Sequence, residues 1–196
     1  MNNKKGRPKE FVEEEAMAVA MNLFWSNGYE KTSLDDLIKA MNISKSSFYQ
    51  SFKSKRALFQ SSLGFYFHSN CNALSEMQSQ YSSKMILVGF IERLVDELKE
   101  TGSVRGCLLM NSGAECYSKH PDLIPVISEY YDAGIEQYQK LIEDAQKKGD
   151  MKNPMDAKKI AILFYSSLTG LSSTIKVGAS EEAVGAIVEE IKRLID

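Results

Sequence analysis

Apolar residues recur along most of this 196-residue chain at the three- and four-residue spacing of amphipathic helices. The pattern predicts an all-α fold of about nine helices. A first helix spans about residues 10–27, and two short helices joined by a tight turn follow over residues 33–52. Further helices are predicted at about 55–81, 83–101, 121–148, 156–177 and 181–195, with a short one beginning near residue 107.

The two short helices have the pattern of a helix-turn-helix. Asn42, which tolerates the left-handed backbone of a tight turn, ends the first helix, and Ser44 caps the second. Phe48 and Phe52 lie one turn apart and face inward. Small polar and basic residues on such a second helix contact base edges and phosphates in the major groove. A surface hairpin with a solvated polar face is the alternative. The outward residues are Lys45, Ser46, Ser47, Tyr49 and Gln50.

This segment resembles the DNA-binding domain of the TetR family of bacterial repressors. Two residues differ from the usual family pattern: Asn42 stands where Gly is common, and Ser51 stands where His is frequent. The matching residues are Ala20-x-x-Leu23-Phe24-x-x-x-Gly28-Tyr29-x-x-Thr32-Ser33, Ile43-Ser44-Lys45, Phe48-Tyr49-x-x-Phe52, Lys53-Ser54-Lys55 and Ala57-Leu58.

The resemblance implies a ligand-released transcriptional repressor with two domains. Residues 1–9 form a basic arm, 10–54 a three-helix DNA-binding domain, and 55–196 a helical domain for ligand binding and dimerisation. Arg7 of the arm is a candidate for the minor groove, with a solubilising tail as the alternative. Phosphate contacts are expected from Thr32, Ser33, Ser44, Lys53 and Lys55.

Charge is distributed unevenly along the chain, whose net charge is -2. Residues 1–60 hold ten basic and seven acidic residues, a net of +3, so the remainder carries -5. A basic head on an acidic body is typical of a DNA-binding protein with a separate regulatory domain.

Composition narrows the class of protein further. No apolar run reaches the roughly 18 residues of a membrane span, so no membrane partner is expected. Three cysteines without metal-ligand spacing favour a reduced, cytoplasmic chain. With two histidines and no phosphate-binding glycine loop or nucleophile elbow, no enzyme, metal site or cofactor is predicted. A helical small-molecule-binding protein or enzyme without DNA binding is the alternative of a different class.

Aromatic and sulfur-containing residues assigned to the predicted fourth to seventh helices form a candidate effector chamber. Mostly apolar walls with a few polar groups suit a small hydrophobic or aromatic molecule, whereas ordinary core packing is the alternative for each residue. The candidate residues are Phe65, Tyr66, His68, Met110, Tyr117, Tyr131, Tyr138 and Phe164.

The last two helices carry more apolar surface than the rim of a monomer needs. The resemblance implies a homodimer joined through these helices, whose two heads would read a palindromic duplex. Tight packing within one chain is the alternative for the small residues Ser166, Ser167, Gly170 and Ser173.

Cys107 belongs to a second, shorter match. The segment Gly106-Cys107-x-x-x-Asn111-x-x-x-Glu115 resembles one seen in a branch of TetR-like regulators. Cys107 and Lys176 also resemble, in position, the reactive pair of an electrophile- and oxidant-sensing repressor of this fold. A nearby amine would lower the pKa of a thiol. The alternative is a cysteine that serves as a small buried hydrophobic residue.

Overall fold

The computed structural model describes residues 13–196, so the predicted arm with Arg7 lies outside the described residues. Residues 13–196 form nine α-helices and one 3₁₀ turn without any strand, which confirms the all-α fold. The helices are α1 (Glu13–Asn27), α2 (Leu34–Ala40), α3 (Lys45–Phe52), α4 (Lys55–Gln78), α5 (Ser83–Thr101), α6 (Leu108–Lys119), α7 (Ile124–Lys148), α8 (Ala157–Lys176) and α9 (Glu181–Leu194).

The chain packs as two units that meet within α4. Unit 1 ends at Phe65 and unit 2 spans Tyr66–Asp196, so α4 contributes residues to both. The predicted domains, residues 10–54 and 55–196, stay a prediction.

Aromatic packing holds unit 1 together. The ring centroid of Phe59 in α4 lies 5.0 Å from that of Phe24 in α1 and 4.7 Å from that of Tyr29. Phe48 and Phe52 of α3 are buried on the same helix face, as their spacing predicts. Helix α3 therefore has one buried face, and the residues of its opposite face are exposed.

The core of unit 2 is built mainly from α5, α7, α8 and α9. Helix α8 supplies the most buried side chains, and it packs against both α7 and α9. Residues of this core without any exposed surface include Leu87, Ile91, Leu141, Ile142, Phe164 and Leu171.

Two helix limits differ from the prediction. Helix α4 ends at Gln78 rather than near residue 81, because the Ser79 amide and hydroxyl both donate to the carbonyl of Glu76 and close a turn. The chain after His120 begins with a 3₁₀ turn, Pro121–Leu123, and α7 starts only at Ile124. Pro125 lacks an amide hydrogen and is accommodated in the first turn of an α-helix.

No helix among residues 13–196 is long and apolar enough to cross a lipid bilayer. Within the same residues, no three His, Cys, Asp or Glu side chains are grouped as a metal ion would require.

Candidate DNA interface and effector site

The turn between α2 and α3 is shaped by local hydrogen bonds. Asn42 has a positive φ of 54°, the left-handed conformation predicted for it. The Ile43 amide then donates to the carbonyl of Ile38 at 3.2 Å. The Ser44 hydroxyl accepts a hydrogen bond from the Ser47 amide at 3.1 Å, which caps the start of α3.

Helix α3 has a buried aromatic face and an exposed polar face. Phe48 has no exposed surface, whereas its neighbour Tyr49 is 48% exposed. Lys45, Ser46 and Gln50 are also exposed, and Ser47 is half-buried. The arrangement presents a cation, hydroxyl groups, a phenol and an amide together on one short helix.

The chain leaves α3 through a second tight turn. Lys53 has a φ of 64°, and the Ser54 amide donates to the carbonyl of Phe52 at 2.7 Å. The Lys53 side chain is exposed there. The ammonium group of Lys55 lies 4.4 Å from the ring centroid of Tyr29, a cation–π contact, and donates to the carbonyl of Glu30 at 3.5 Å.

The side chain of Thr32 is not positioned for the phosphate contact predicted for it. Its side chain is fully buried, and its hydroxyl donates to the carbonyl of Gly28 at 2.6 Å. Because the Thr32 side chain has no exposed surface to offer a phosphate group, Thr32 is withdrawn from the predicted phosphate contacts. Ser33 instead caps α2: its hydroxyl accepts from the Asp36 amide at 3.1 Å, and Asp36 Oδ2 accepts from the Ser33 amide at 3.0 Å.

Unit 2 contains a cluster of aromatic rings between α5, α7 and α8. The ring centroid of Tyr138 lies 5.5 Å from that of Phe90, 5.4 Å from that of Phe164 and 5.3 Å from that of Tyr165. Tyr131 stacks on Tyr165 with a centroid distance of 5.0 Å and an interplanar angle of 20°. We call these five residues the aromatic cluster.

Cys107 borders this aromatic cluster. Its Sγ lies 3.3 Å from Oη of Tyr165, and the hydroxyl of Tyr66 is hydrogen-bonded to Cys107 and to Asn70. Burial is the main cause that raises the pKa of Tyr66, Tyr138 and Tyr165 above the ordinary range. All three phenols therefore keep their protons at neutral pH.

Lys176 forms hydrogen bonds with the turn that precedes Cys107. Its Nζ donates to the carbonyl of Arg105 at 2.9 Å and to Oδ1 of Asn111 at 3.0 Å. The pKa of its ammonium group is lowered, mainly by partial burial, while Cys107 and Glu97 act in the opposite direction. The amine predicted to pair with Cys107 thus lies at the same turn, where it holds backbone and amide oxygens.

Sequence comparisons give the family of the chain. Residues 16–61 match the family described as "Bacterial regulatory proteins, tetR family". Residues 86–191, more than half of the chain, match the "Tetracyclin repressor-like, C-terminal domain". The chain belongs to the TetR family.

Individual TetR-type relatives match along nearly the whole chain. The transcriptional repressor ComR of Escherichia coli K12 is 26% identical over 193 residues, covering 97% of this chain and 91% of that protein. The negative regulator IcaR of the icaADBC biofilm operon in Staphylococcus aureus strain Newman is 26% identical, covering 90% of this chain and 93% of its own. Relatives of this TetR-family chain are thus named as transcriptional regulators.

Solved structures agree with this assignment. A cysteine mutant of the TetR family regulator CifR, complexed with 26 bp operator DNA, has a TM-score of 0.76 and 26% identity, covering 95% of this chain and 98% of that one. The reduced form of E. coli NemR has a TM-score of 0.81, covering 93% and 96%. At 19% identity, NemR shares the fold. This TetR-family protein is therefore a DNA-binding transcriptional regulator.

The predicted effector residues of this TetR-family chain fall into separate groups. Tyr66, Tyr131, Tyr138 and Phe164 lie in or beside the aromatic cluster. The exposed His68 instead contacts Phe67 and Tyr130, and Phe65 belongs to unit 1.

The prediction that Met110 and Tyr117 line an interior effector chamber is corrected, since their side chains are 38% and 75% exposed. Helix α6 buries Leu108, Leu109 and Ser112, and the helical period therefore directs residues 110 and 117 outward.

Sequence reasoning missed Tyr165 and Phe90. A signal for Tyr165 exists in the sequence, because the buried residues Ala161, Tyr165, Leu168 and Ser172 have the three- and four-residue spacing of an inward helix face. The contact between Tyr165 and Cys107 joins residues 58 positions apart, and no local pattern could indicate it.

Proposed function

We propose that this TetR-family regulator is a repressor that binds a palindromic operator as a homodimer and leaves it when an effector reaches unit 2. The observation that carries the proposal is the exposed polar face of α3, presented by the Ser44-capped turn. Because its target is DNA, the proposed place of action is the cytoplasm.

The exposed face of α3 carries only a few side chains that can hydrogen-bond to base edges. Gln50 supplies a side-chain amide of the kind that pairs with both N6 and N7 of adenine in the major groove. Lys45, Ser46, Ser47 and Tyr49 add shorter or less directional contacts. The same face offers neither Arg nor Asn, so we expect modest discrimination among sequences.

Phosphate contacts are assigned to the rim of α3. Lys53 and Lys55 follow the helix, while Ser33 and Ser44 stand at the starts of α2 and α3. Contacts from these lysine and serine side chains to phosphate oxygens fix the register of the protein on the duplex without reading its sequence. Arg7 and the basic arm are proposed to add binding in the adjacent minor groove.

The proposed dimer interface is the outward side of α8 with α9. Ile162 and Leu163 are 39% and 45% exposed on α8. A Cβ placed on Gly170 would meet nothing within 4 Å, so this stretch leaves room for another helix. Two copies joined here would present two heads to the two halves of a palindrome.

Selection of duplexes from a random pool tests the proposal. The full-length protein should enrich one inverted repeat at moderate salt, and the affinity should fall steeply as salt rises. Failure to enrich any duplex would leave the alternative of a helical binding protein or enzyme without a DNA target.

Cys107 supports a second candidate, a thiol-based form of the same regulation. Its side chain is partly exposed, at the start of α6 and beside the turn that Lys176 holds. An electrophile or oxidant that modifies this thiol would release DNA without a separate binding pocket. Cys107→Ser should then abolish release by such compounds; unchanged release would exclude this candidate.

A further inference from the structure

A groove with a volume of about 250 Å³ lies between α5 and α9. Among the residues that the structure describes, it shares no lining residue with the aromatic cluster. The fully buried side chain of Ile91 and the half-buried side chains of Val95 and Val188 give it apolar walls. The volume is below the roughly 300–1,000 Å³ of sites for drug-sized ligands, so the groove suits a small aliphatic group.

Both helices turn an ordered row of side chains towards this groove. Ile91, Val95 and Lys99 follow one another at four-residue intervals on α5, and Val188 and Lys192 have the same interval on α9. Residues four apart lie on the same side of a helix. Each helix therefore presents an apolar strip that ends in a lysine.

Two acids and two lysines supply the charged part of the groove lining. Across the groove, Nζ of Lys192 lies 4.0 Å from Oε1 of Glu92, and on α5, Nζ of Lys99 lies 3.7 Å from Oδ1 of Asp96. Both distances exceed the roughly 2.7–2.9 Å of a charge-assisted hydrogen bond. All four side chains are exposed, so each can form a closer bond to a ligand.

We propose that this groove binds a small α-amino acid with a branched aliphatic side chain. The ligand carboxylate accepts from the ammonium group of Lys192, and the ligand ammonium group donates to the carboxylate of Glu92. An α-amino acid carries its two charged groups on one carbon atom, which matches opposite charges 4.0 Å apart at the groove. Its aliphatic side chain lies against Val95 and Val188. The proposal goes beyond the repressor function and does not depend on DNA binding.

The mixture of charges at the groove selects against ligands that carry a single charge. A carboxylate without an amine would meet Lys192 but would also lie near the like-charged Glu92 and Asp96. An amine without a carboxylate would meet Glu92 but would lie near the ammonium group of Lys192. Like charges at such distances repel each other, so a zwitterion fits this lining better than either ion.

NMR titration of the full-length protein, with ¹³C-labelled Ile, Leu and Val methyl groups, tests the proposal with L-leucine as the probe. The methyl signals of Ile91, Val95 and Val188 should shift together, whereas those of Leu141 in α7, which does not line the groove, should stay in place. A Kd on the order of 1 mM is expected for so small a ligand on an exposed site.

Two analogues separate recognition of the two charges from simple apolar binding. Isocaproate is leucine without the ammonium group, and isoamylamine is leucine without the carboxylate. Each should bind at least about threefold more weakly than L-leucine, the effect of one exposed ion pair. Binding of either analogue as tightly as L-leucine would overturn the proposal.

Variants of the groove residues locate the site. Glu92→Gln and Lys192→Met each remove one charge and should weaken L-leucine binding at least about threefold. Val188→Phe fills the groove and should abolish the shifts at Ile91 and Val95. Lys148→Met is the matched control, because Lys148 pairs with Asp144 at 2.8 Å outside the groove, and it should leave the Kd unaltered.

Thermal unfolding identifies any variant that has lost its fold, and the remaining variants then carry the comparison. The proposal fails if no methyl signal moves at leucine concentrations far above 1 mM, if only signals outside the groove move, or if every folded groove variant binds as the wild type does. It also fails if the signals of Val95 and Val188 move with protein concentration in the absence of leucine, because a second copy of the chain would then cover the groove.

Discussion

Gln50 and Lys53 lie three residues apart and have different expected tasks on a duplex. Gln50→Ala should relax the preference for one base and cost about 1–3 kcal/mol on the selected operator. Lys53→Ala should weaken binding to all sequences alike. It should also make the slope of log affinity against log salt concentration shallower by about 1. Both effects are measured by titrating the operator and a scrambled duplex at several salt concentrations.

Lys99→Ala is the control for this pair, because Lys99 is exposed on α5 in unit 2. It removes one positive charge from the chain without touching α3, so both affinities should stay unchanged. A change of base preference in Lys53→Ala but not in Gln50→Ala would reverse the assignment.

Gly106 and Gly102 form a matched pair for testing the turn before Cys107. Both have positive φ, 70° and 71°, so alanine at either costs about 1–2 kcal/mol of backbone strain. A Cβ on Gly106 would also lie 3.0 Å from Nζ of Lys176 and 3.3 Å from Cβ of Ser172, whereas one on Gly102 meets nothing within 4 Å.

Gly106→Ala should therefore destabilise the protein more than Gly102→Ala, by about 1 kcal/mol or more, through disturbed hydrogen bonds of the Lys176 ammonium. Urea unfolding at fixed protein concentration measures the difference. Equal losses of stability in the two variants would mean that Lys176 moves aside freely and does not fasten this turn.

At the scale of the helix, the effect of a capping serine on protein stability can be separated from its effect on operator binding. Ser44 caps α3 and Ser180 caps α9, each accepting from the amide three residues later, at 3.1 Å and 3.2 Å. Ser44→Ala and Ser180→Ala should each cost about 1 kcal/mol of stability.

Only Ser44→Ala is expected to weaken operator binding as well, because α3 carries the base-reading face. Circular dichroism during thermal unfolding gives the stabilities, and fluorescence anisotropy with labelled operator gives the affinities. A similar loss of affinity in Ser180→Ala would show that general destabilisation, and not the capping of α3, governs binding.

Helices with local start and stop signals could be predicted from the sequence. Helices α3 and α5 begin and end at the predicted residues because serine caps, Asn42 and Gly102 mark their limits within a few positions. The early end of α4 and the 3₁₀ turn before α7 depend on hydrogen bonds that the apolar spacing does not encode.

The two candidate sites also differ in whether local sequence patterns or long-range packing determine them. The exposed face of α3 follows from helical period alone, so its residues could be named in advance. The neighbours of Cys107 come from α4 and α8, and long-range packing brings them together. Burial of Thr32 was missed because a hydroxyl next to a capping serine has the same polar pattern whether or not it is exposed.

At the scale of the whole molecule, the proposed dimer makes a prediction for α8. Leu163→Glu places a charge on the exposed apolar side of that helix, where the proposed twofold interface would bury it in both copies. The variant should associate at least about 100-fold more weakly, because an unpaired buried charge costs several kcal/mol. Analytical ultracentrifugation measures the change, and operator affinity should fall with it.

Met85→Glu serves as the comparison, since Met85 is 58% exposed on α5 and lies outside the proposed interface. It should leave the sedimentation of the protein unaltered. If Met85→Glu dissociated the protein and Leu163→Glu did not, the association surface would lie elsewhere than on α8 and α9.

The unbroken α4 sets a rule for building chimaeras from this protein and its relatives. Since Lys55–Gln78 is one continuous helix through the division at Phe65, heads cannot be exchanged at a flexible joint. One residue too many or too few at the splice would turn everything beyond it by about 100°. Grafted reading heads must therefore be joined in helical phase, and insertions of seven residues, close to two full turns, should be tolerated better than insertions of two.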